Sequence, residues 1–157
     1  MITLQITLRG CQSAKWTELS VKLNLERHSA NIIHSYDAGA VNIQAKYRPA
    51  GVESDAQQQD FITLTASLII TPEILIEDWL ENAPALSSAD MDRVIETHPE
   101  VILLGTGKTM NFPDNAIIQR CYQEKIGFEV MNTAAACRTY NVLVSEQRKV
   151  AAALIII

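Results

Sequence analysis

Val101-Ile102-Leu103-Leu104-Gly105-Thr106-Gly107-Lys108 and then Gly127-Phe128-Glu129-Val130-Met131-Asn132-Thr133 decide the fold of this chain. Each is a short apolar run closed by turn residues, which reads as a strand ending in a turn. Between the two, Pro113 opens a helix with Ile117, Ile118, Cys121 and Tyr122 on one face. After the second, Thr133 is a good N-cap for a helix running to about Glu146, and Lys149–Ile157 reads as a last strand. Strand, helix, strand, helix, strand implies right-handed crossovers and a parallel core within a mixed sheet. The fold class is α/β.

Upstream the pattern is shorter in period. Ile2, Leu4, Ile6 and Leu8 alternate with polar residues, as in a strand or an extended tail. Strand-like segments follow at Val21–Leu25, Asn31–Tyr36 and Val41–Lys46, with Asp37-Ala38-Gly39 as the turn between the last two. Residues 48–60 hold Pro49, Gly51 and three consecutive glutamines, a polar loop insertion. Phe61–Ile70 is an apolar, β-branched run suited to one buried strand. Thr71-Pro72 stops it, and Pro72 predicts a short helix through Trp79. Ser87–Thr97 is a further helix: Ser87 and Asp90 have capping-box spacing, and Met91, Val94 and Ile95 share a face. The 157 residues thus divide into an N-terminal extension, 1–20, and a single domain, 21–157.

Composition excludes several functions. The net charge is −5 and the 13 Lys and Arg residues are scattered, which argues against nucleic acid as a partner. Cys11, Cys121 and Cys137 are odd in number and far apart, so no disulfide framework is expected. No CxxC or Cys/His spacing points to zinc, and the expectation is no metal and no cofactor. The longest apolar run, Val150–Ile157, falls far short of the roughly 20 residues that span a bilayer. Leu8-Arg9-Gly10-Cys11 resembles a lipoprotein box, but the alternating residues before it lack a basic start. Arg9 and Lys15 are few for a transit peptide. The expected location is the bacterial cytoplasm, or the mitochondrion if the source is eukaryotic; an integral membrane protein is not expected.

Two phosphate motifs fail on spacing. Gly107-Lys108-Thr109 ends like a P-loop, but the position that needs the first glycine is Ile102, inside the strand. Gly105 and Gly107 begin a dinucleotide fingerprint whose third glycine is replaced by Met110. A softer site survives. If the strands at 101–104 and 128–131 are parallel, their carboxyl ends share one edge, where open α/β sheets bind ligands. The first turn of the last helix carries no acid, leaving its amides and its positive dipole end for an anion. The candidate anion pocket is therefore Gly105, Thr106, Gly107, Lys108, Thr133, Cys137, Arg138 and Tyr140. Lys108 adds a charge, Arg138 a fork for carboxylate or phosphate, and Cys137 a thiol with a lowered pKa. The packing alternative stands beside it: glycines that merely turn the chain, Cys137 as a small core residue, and Arg138 paired with an acid such as Glu129. His28, His34 and His98 are isolated, Asp90, Asp92 and Glu96 form a solvated face, and no Ser or Cys sits in a nucleophile elbow.

The run His98 to Gly107, followed by Pro113, and the run Gly127 to Leu143 with its Cys137-Arg138-Thr139-Tyr140-Asn141, resemble a known family. Val150-Ala151-Ala152-Ala153-Leu154, Tyr36 to Gly39 and Ser67 to Pro72 extend the likeness over residues 30–157. It is the Mth-nine-three-eight-like domain family, which contains complex I assembly factor 3 and many uncharacterised bacterial and archaeal proteins. The resemblance implies three layers, β+α/β/α, around a mixed, mostly parallel central sheet with one strand antiparallel. From its mitochondrial members it implies a role in assembling NADH:ubiquinone oxidoreductase. Asn132 stands where the family often has Asp, and Gln147 where a glycine usually ends the last helix. The leading expectation is a non-enzymatic assembly or interaction factor whose partners are proteins, respiratory-complex subunits by implication. The alternative is a small-anion-binding protein or enzyme using the pocket above.

Overall fold

The computed structural model describes residues 30–37, 39–45, 61–80 and 86–157. The extension, the strands read at 2–8 and 21–25, and the 48–60 insertion lie outside the described residues.

The segment that decided the fold forms as read. Val101–Gly105 is β6, Asn115–Gln123 is α2, Gly127–Met131 is β7, Thr133–Ser145 is α3 and Val150–Leu154 is β8. β6 lies between β7 and β8 and runs parallel to both, Val101 standing opposite Gly127 on one side and Val150 on the other. The crossover from β6 to β7 through α2 and the one from β7 back past β6 to β8 through α3 move in opposite directions along the sheet. Two right-handed crossovers therefore cover opposite faces, as α2 and α3 do. Leu68–Ile70 (β4) adds antiparallel to β8, and Leu75–Glu77 (β5) adds antiparallel to β4. The order is β5-β4-β8-β6-β7, and β4 alone runs against the other four.

Ile32–Asp37 (β1), Ala40–Gln44 (β2) and Ile62–Leu64 (β3) form a separate three-stranded antiparallel sheet. With α3 it makes the first layer: Ile33, Val41, Ile43, Ala136 and Tyr140 pack on Leu68, Ile70, Leu103, Ala152 and Leu154. Ser88–Ile95 (α1) and α2 make the third: Trp79, Met91, Val94, Ile117 and Cys121 pack on Ile69, Ile102, Leu104, Ala151 and Ala153. β8 is alanine on both faces at its centre, so helices approach it closely from either side. These are the three layers and the single antiparallel strand that the resemblance implies.

Five local expectations are corrected. Phe61–Ile70 is two strands in two sheets, because Thr65 and Ser67 interrupt it. Ser67 is buried, and its hydroxyl accepts the N–H of Ile156 at 3.1 Å. Pro72 starts no helix. The Thr71 hydroxyl instead accepts the N–H of Ile74 at 2.8 Å, closing a tight turn that returns the chain as β5. Asp114 rather than Pro113 caps α2, and Tyr122 points to solvent. Asn132 rather than Thr133 caps α3. The Ser87–Asp90 capping box is present as read.

Two helix ends share one device. After α2, the N–H groups of Lys125 and Ile126 donate to Tyr122 and Cys121. After α3, those of Gln147 and Arg148 donate to Val144 and Leu143. These are paired Schellman bonds, which require a left-handed residue, and Lys125 and Gln147 both have φ of 59°. A side chain there is strained. Replacing Gln147 or Lys125 by glycine is expected to raise unfolding free energy by about 0.5–1 kcal/mol in urea titrations.

The three-stranded sheet is held to the rest by two neighbouring side chains of α3. Asn141 accepts the Ile33 N–H at 3.0 Å and donates to the Ile33 carbonyl at 2.6 Å. The Tyr140 hydroxyl donates to the Asn31 carbonyl at 3.0 Å. Asn141→Ala strands both Ile33 groups, and is expected to cost about 1–3 kcal/mol in the same titrations.

Candidate functional site

Parallel register brings the carboxyl ends of β6, β7 and β8 to one edge, and the turns after β6 and β7 meet there. They meet by interlocking. Thr133, fully buried, donates its N–H to the Gly107 carbonyl at 2.9 Å. Its hydroxyl accepts the Gly107 N–H and donates to the Ile155 carbonyl, both at 2.8 Å. The Thr106 hydroxyl donates to the Thr109 carbonyl at 2.8 Å and accepts the Asn111 N–H at 3.0 Å. A Cβ on Gly105 would sit 3.0 Å from the Thr133 Cα, and Gly107 has φ of +91°, a conformation that favours glycine. The glycines therefore serve close packing of the chain on itself.

The amides that begin α3 are engaged as well. Ala135 donates to the Asn132 side-chain oxygen at 2.8 Å, and Ala136 to the Asn132 carbonyl at 3.0 Å. With Thr133 bonded to Gly107, two of the four amides that a helix start leaves without a helical partner, those of Thr133 and Ala135, have one here, and the Ala136 bond is the first of the helix itself. The sequence reading left them for an anion. A neutral asparagine cap takes part of that place, so the helix start keeps its partial positive charge with its cradle partly filled.

The remaining expected residues separate. Lys108 is exposed on the carboxyl-edge turn. Tyr140 is fully buried with its hydroxyl bonded to Asn31, and burial pushes its pKa up. Cys137 is buried beneath α3. Burial pushes its thiol up from 9.0 to about 12, against a smaller opposing effect of Arg138. This reverses the lowered pKa read from its place near a helix start: position along a helix does not say which face looks inward. Arg138 is exposed, and no acid pairs with it among the described residues. It lines a small pocket of about 120 Å³ with Ser35, Tyr36, Ala134, Cys137 and Asn141, in which Lys108 has no part.

A larger cleft, about 570 Å³, opens at the opposite edge, where Pro72, Ile74, His98, Gln147, Arg148 and Lys149 are among its walls. Sequence reasoning missed it, since it joins three distant loops with no shared motif. His98 and Gln147 in its wall have positive φ, a backbone state no residue pattern announced. Among the described residues no three His, Cys, Asp or Glu side chains gather to hold a metal, and no helix is long and apolar enough to cross a membrane.

A family model described as protein of unknown function (DUF498/DUF598) matches residues 33–155. The chain belongs to this family. Among relatives, the 13 kDa major membrane protein of Francisella tularensis subsp. holarctica (strain LVS) is 31% identical over 88 residues, covering 56% of this chain and 72% of that protein. NADH dehydrogenase (ubiquinone) 1 alpha subcomplex assembly factor 3 of Danio rerio is 35% identical over 132 residues, covering 82% and 72%. The NMR structure of a Xanthomonas campestris protein superposes with a TM-score of 0.62 at 35% identity, covering 87% of this chain and 92% of that one. A Bordetella pertussis solution structure described as a Mth938-like domain, 20% identical with a TM-score of 0.65 over 87% and 92% of the two chains, carries the same fold. DUF498/DUF598 membership and the Mth938-like fold are thus the family and fold that the Cys137–Asn141 and Gly105–Gly107 runs resemble.

A thiol whose pKa is raised by folding stabilises the native state below its free pKa of about 9, and that contribution is lost as pH climbs toward the folded value. Unfolding free energy is therefore expected to fall between about pH 8 and pH 11, and to fall less in Cys137→Ala. At pH 8 iodoacetamide should leave the Cys137 peptide of the folded protein unmodified, as read by mass spectrometry.

Proposed function

We infer that this chain is a non-enzymatic interaction factor that acts through contacts with other proteins during assembly of a respiratory NADH dehydrogenase, in the bacterial cytoplasm. The observation that carries the reading is Phe112, 71% exposed, two residues from Met110 at 51%. Large apolar side chains kept in water on the loop after β6 favour a protein contact there. Tyr122, 69% exposed on the outer side of α2, adds a second aromatic. The relative from Danio rerio, aligned over most of this chain, carries the name of an assembly factor. The chemistry of the expected site residues agrees: Thr133 is saturated with bonds inside the fold, and the Cys137 thiol and Tyr140 hydroxyl are kept protonated by burial.

In cells of the source organism lacking this chain, native gels are expected to contain several-fold less assembled NADH dehydrogenase. The wild-type chain restores it and Phe112→Ser does not, although a substitution so exposed should change stability by less than about 0.5 kcal/mol. Normal assembly without the chain, or full rescue by Phe112→Ser, would count against this reading.

A further inference from the structure

The small pocket between β1 and α3 has a feature that the assembly reading does not use. In β1, Ile33 stands opposite Ile43 but Ser35 stands opposite Asn42, so β1 carries one extra residue at His34. Such a bulge shifts the in-and-out phase of a strand by one. Ile33 and Tyr36, three apart, consequently both turn toward the core, while the His34 ring leans on Phe61 with centroids 4.3 Å apart. The phenol of Tyr36 is thereby carried in beneath α3, and burial together with the nearby Cys137 thiol holds its pKa up.

Its hydroxyl is buried and bonded to nothing. Among the described residues it is the one buried side-chain polar atom in that condition. A buried hydroxyl in a native protein ordinarily has a partner, and one that lacks any in the protein points to a solvent molecule or a ligand. The adjoining space is about 120 Å³, roughly the share of four waters in the liquid. The other groups around it sort by what they have left to offer. Asn141 gives both ends of its amide to the Ile33 backbone. The Ser35 hydroxyl accepts from the Asn42 side chain at 2.8 Å. Cys137 offers a neutral thiol. Among the described residues Arg138 keeps a whole guanidinium without an acid partner, and none of those that line the space is a carboxylate. The groove thus holds one full positive charge and an idle hydroxyl donor, beside the positive end of α3.

We propose that the groove between β1 and α3 binds a small oxyanion or carboxylate, which accepts from the Tyr36 hydroxyl and from the Arg138 guanidinium. Arg138 supplies charge at the mouth, and Tyr36 reads the anion at the floor. The site takes Cys137 and Arg138 from the pocket expected at the carboxyl edge, but its anion lies against the three-stranded sheet, away from Lys108.

The test titrates the purified chain separately with inorganic phosphate, bicarbonate and acetate, at ionic strength fixed with chloride. Melting temperature and the NMR signals of Arg138 Nε–H and the Ala134 amide are followed. At least one anion is expected to saturate both readouts. Tyr36→Phe, which removes a donor with no partner inside the protein, should fold normally and bind about tenfold more weakly. Arg138→Gln, an exposed change, should bind at least tenfold more weakly. Saturation by phosphate or bicarbonate alone assigns an oxyanion, and by acetate alone a carboxylate. No saturation by any of the three, or equal affinity in Arg138→Gln, overturns the proposal. So does equal affinity in Tyr36→Phe. Neither outcome bears on Phe112, so the assembly reading stands or falls separately.

Discussion

Asn141 treats the backbone of Ile33 as a neighbouring strand would, accepting its N–H and donating to its carbonyl. Much else in this molecule follows from that contact. Among the described residues the three-stranded sheet shares no strand pairing with the five-stranded one, and β1 is one of its two edges. An open edge is a hazard in water, and a carboxamide laid against it supplies what a strand would have supplied. Tyr140 adds a bond to the Asn31 carbonyl two residues before Ile33, and Asn31 reaches back to the Thr71 and Pro72 carbonyls. The Cys137–Asn141 run is therefore a docking device as well as a family signature: one residue fills the core, two bind the sheet, and one is left facing the groove.

The opposite end of α3 is fixed with equal economy. Thr133 links three strand ends through one hydroxyl and one amide, so the turn after β6, the start of α3 and the exit of β8 move as a unit. This rigidity accounts for the division of the expected pocket. An anion cradle needs amides with no other duty, and here the chain has given one to Thr133 and to Ala135. Arg138 sits a turn further along α3, where the neighbour is β1. There the bulge at His34 has brought in a tyrosine whose hydroxyl has no such duty.

The fold was readable where apolar runs are punctuated, and the site was not. Val101–Gly105, Gly127–Met131 and Val150–Leu154 are unbroken apolar or small stretches bounded by turn residues, and α1 announces itself through Ser87 and Asp90. The boundary between β3 and β4 was hidden because Thr65 and Ser67 are acceptable strand residues; only tertiary context sends the two halves to different sheets. Pro72 misled because the same residue that starts helices also follows tight turns, and the Thr71 hydroxyl decided between them. Asn132 and Thr133 are both good caps, and nothing local ranks one above the other. Cys137 could be read either as a thiol activated by its place near a helix start or as a small core residue, and it is buried by a sheet that lies a hundred residues away in sequence. The broken alternation between Ile33 and Tyr36 was the available sign of the bulge, and it is legible only once the partner strand is known.

The position of β8 has a consequence for biosynthesis. It is the strand between β4 and β6, yet it follows both of them in the chain. On the ribosome β4 therefore waits with β5 as its only sheet neighbour, and β6 with β7, their facing edges unfilled until Leu154 has cleared the exit tunnel. During that interval Leu68, Ile70, Leu103 and Leu104 have no completed sheet to shelter them. The alanines of β8 close the gap with few atoms and little rearrangement of what is already in place.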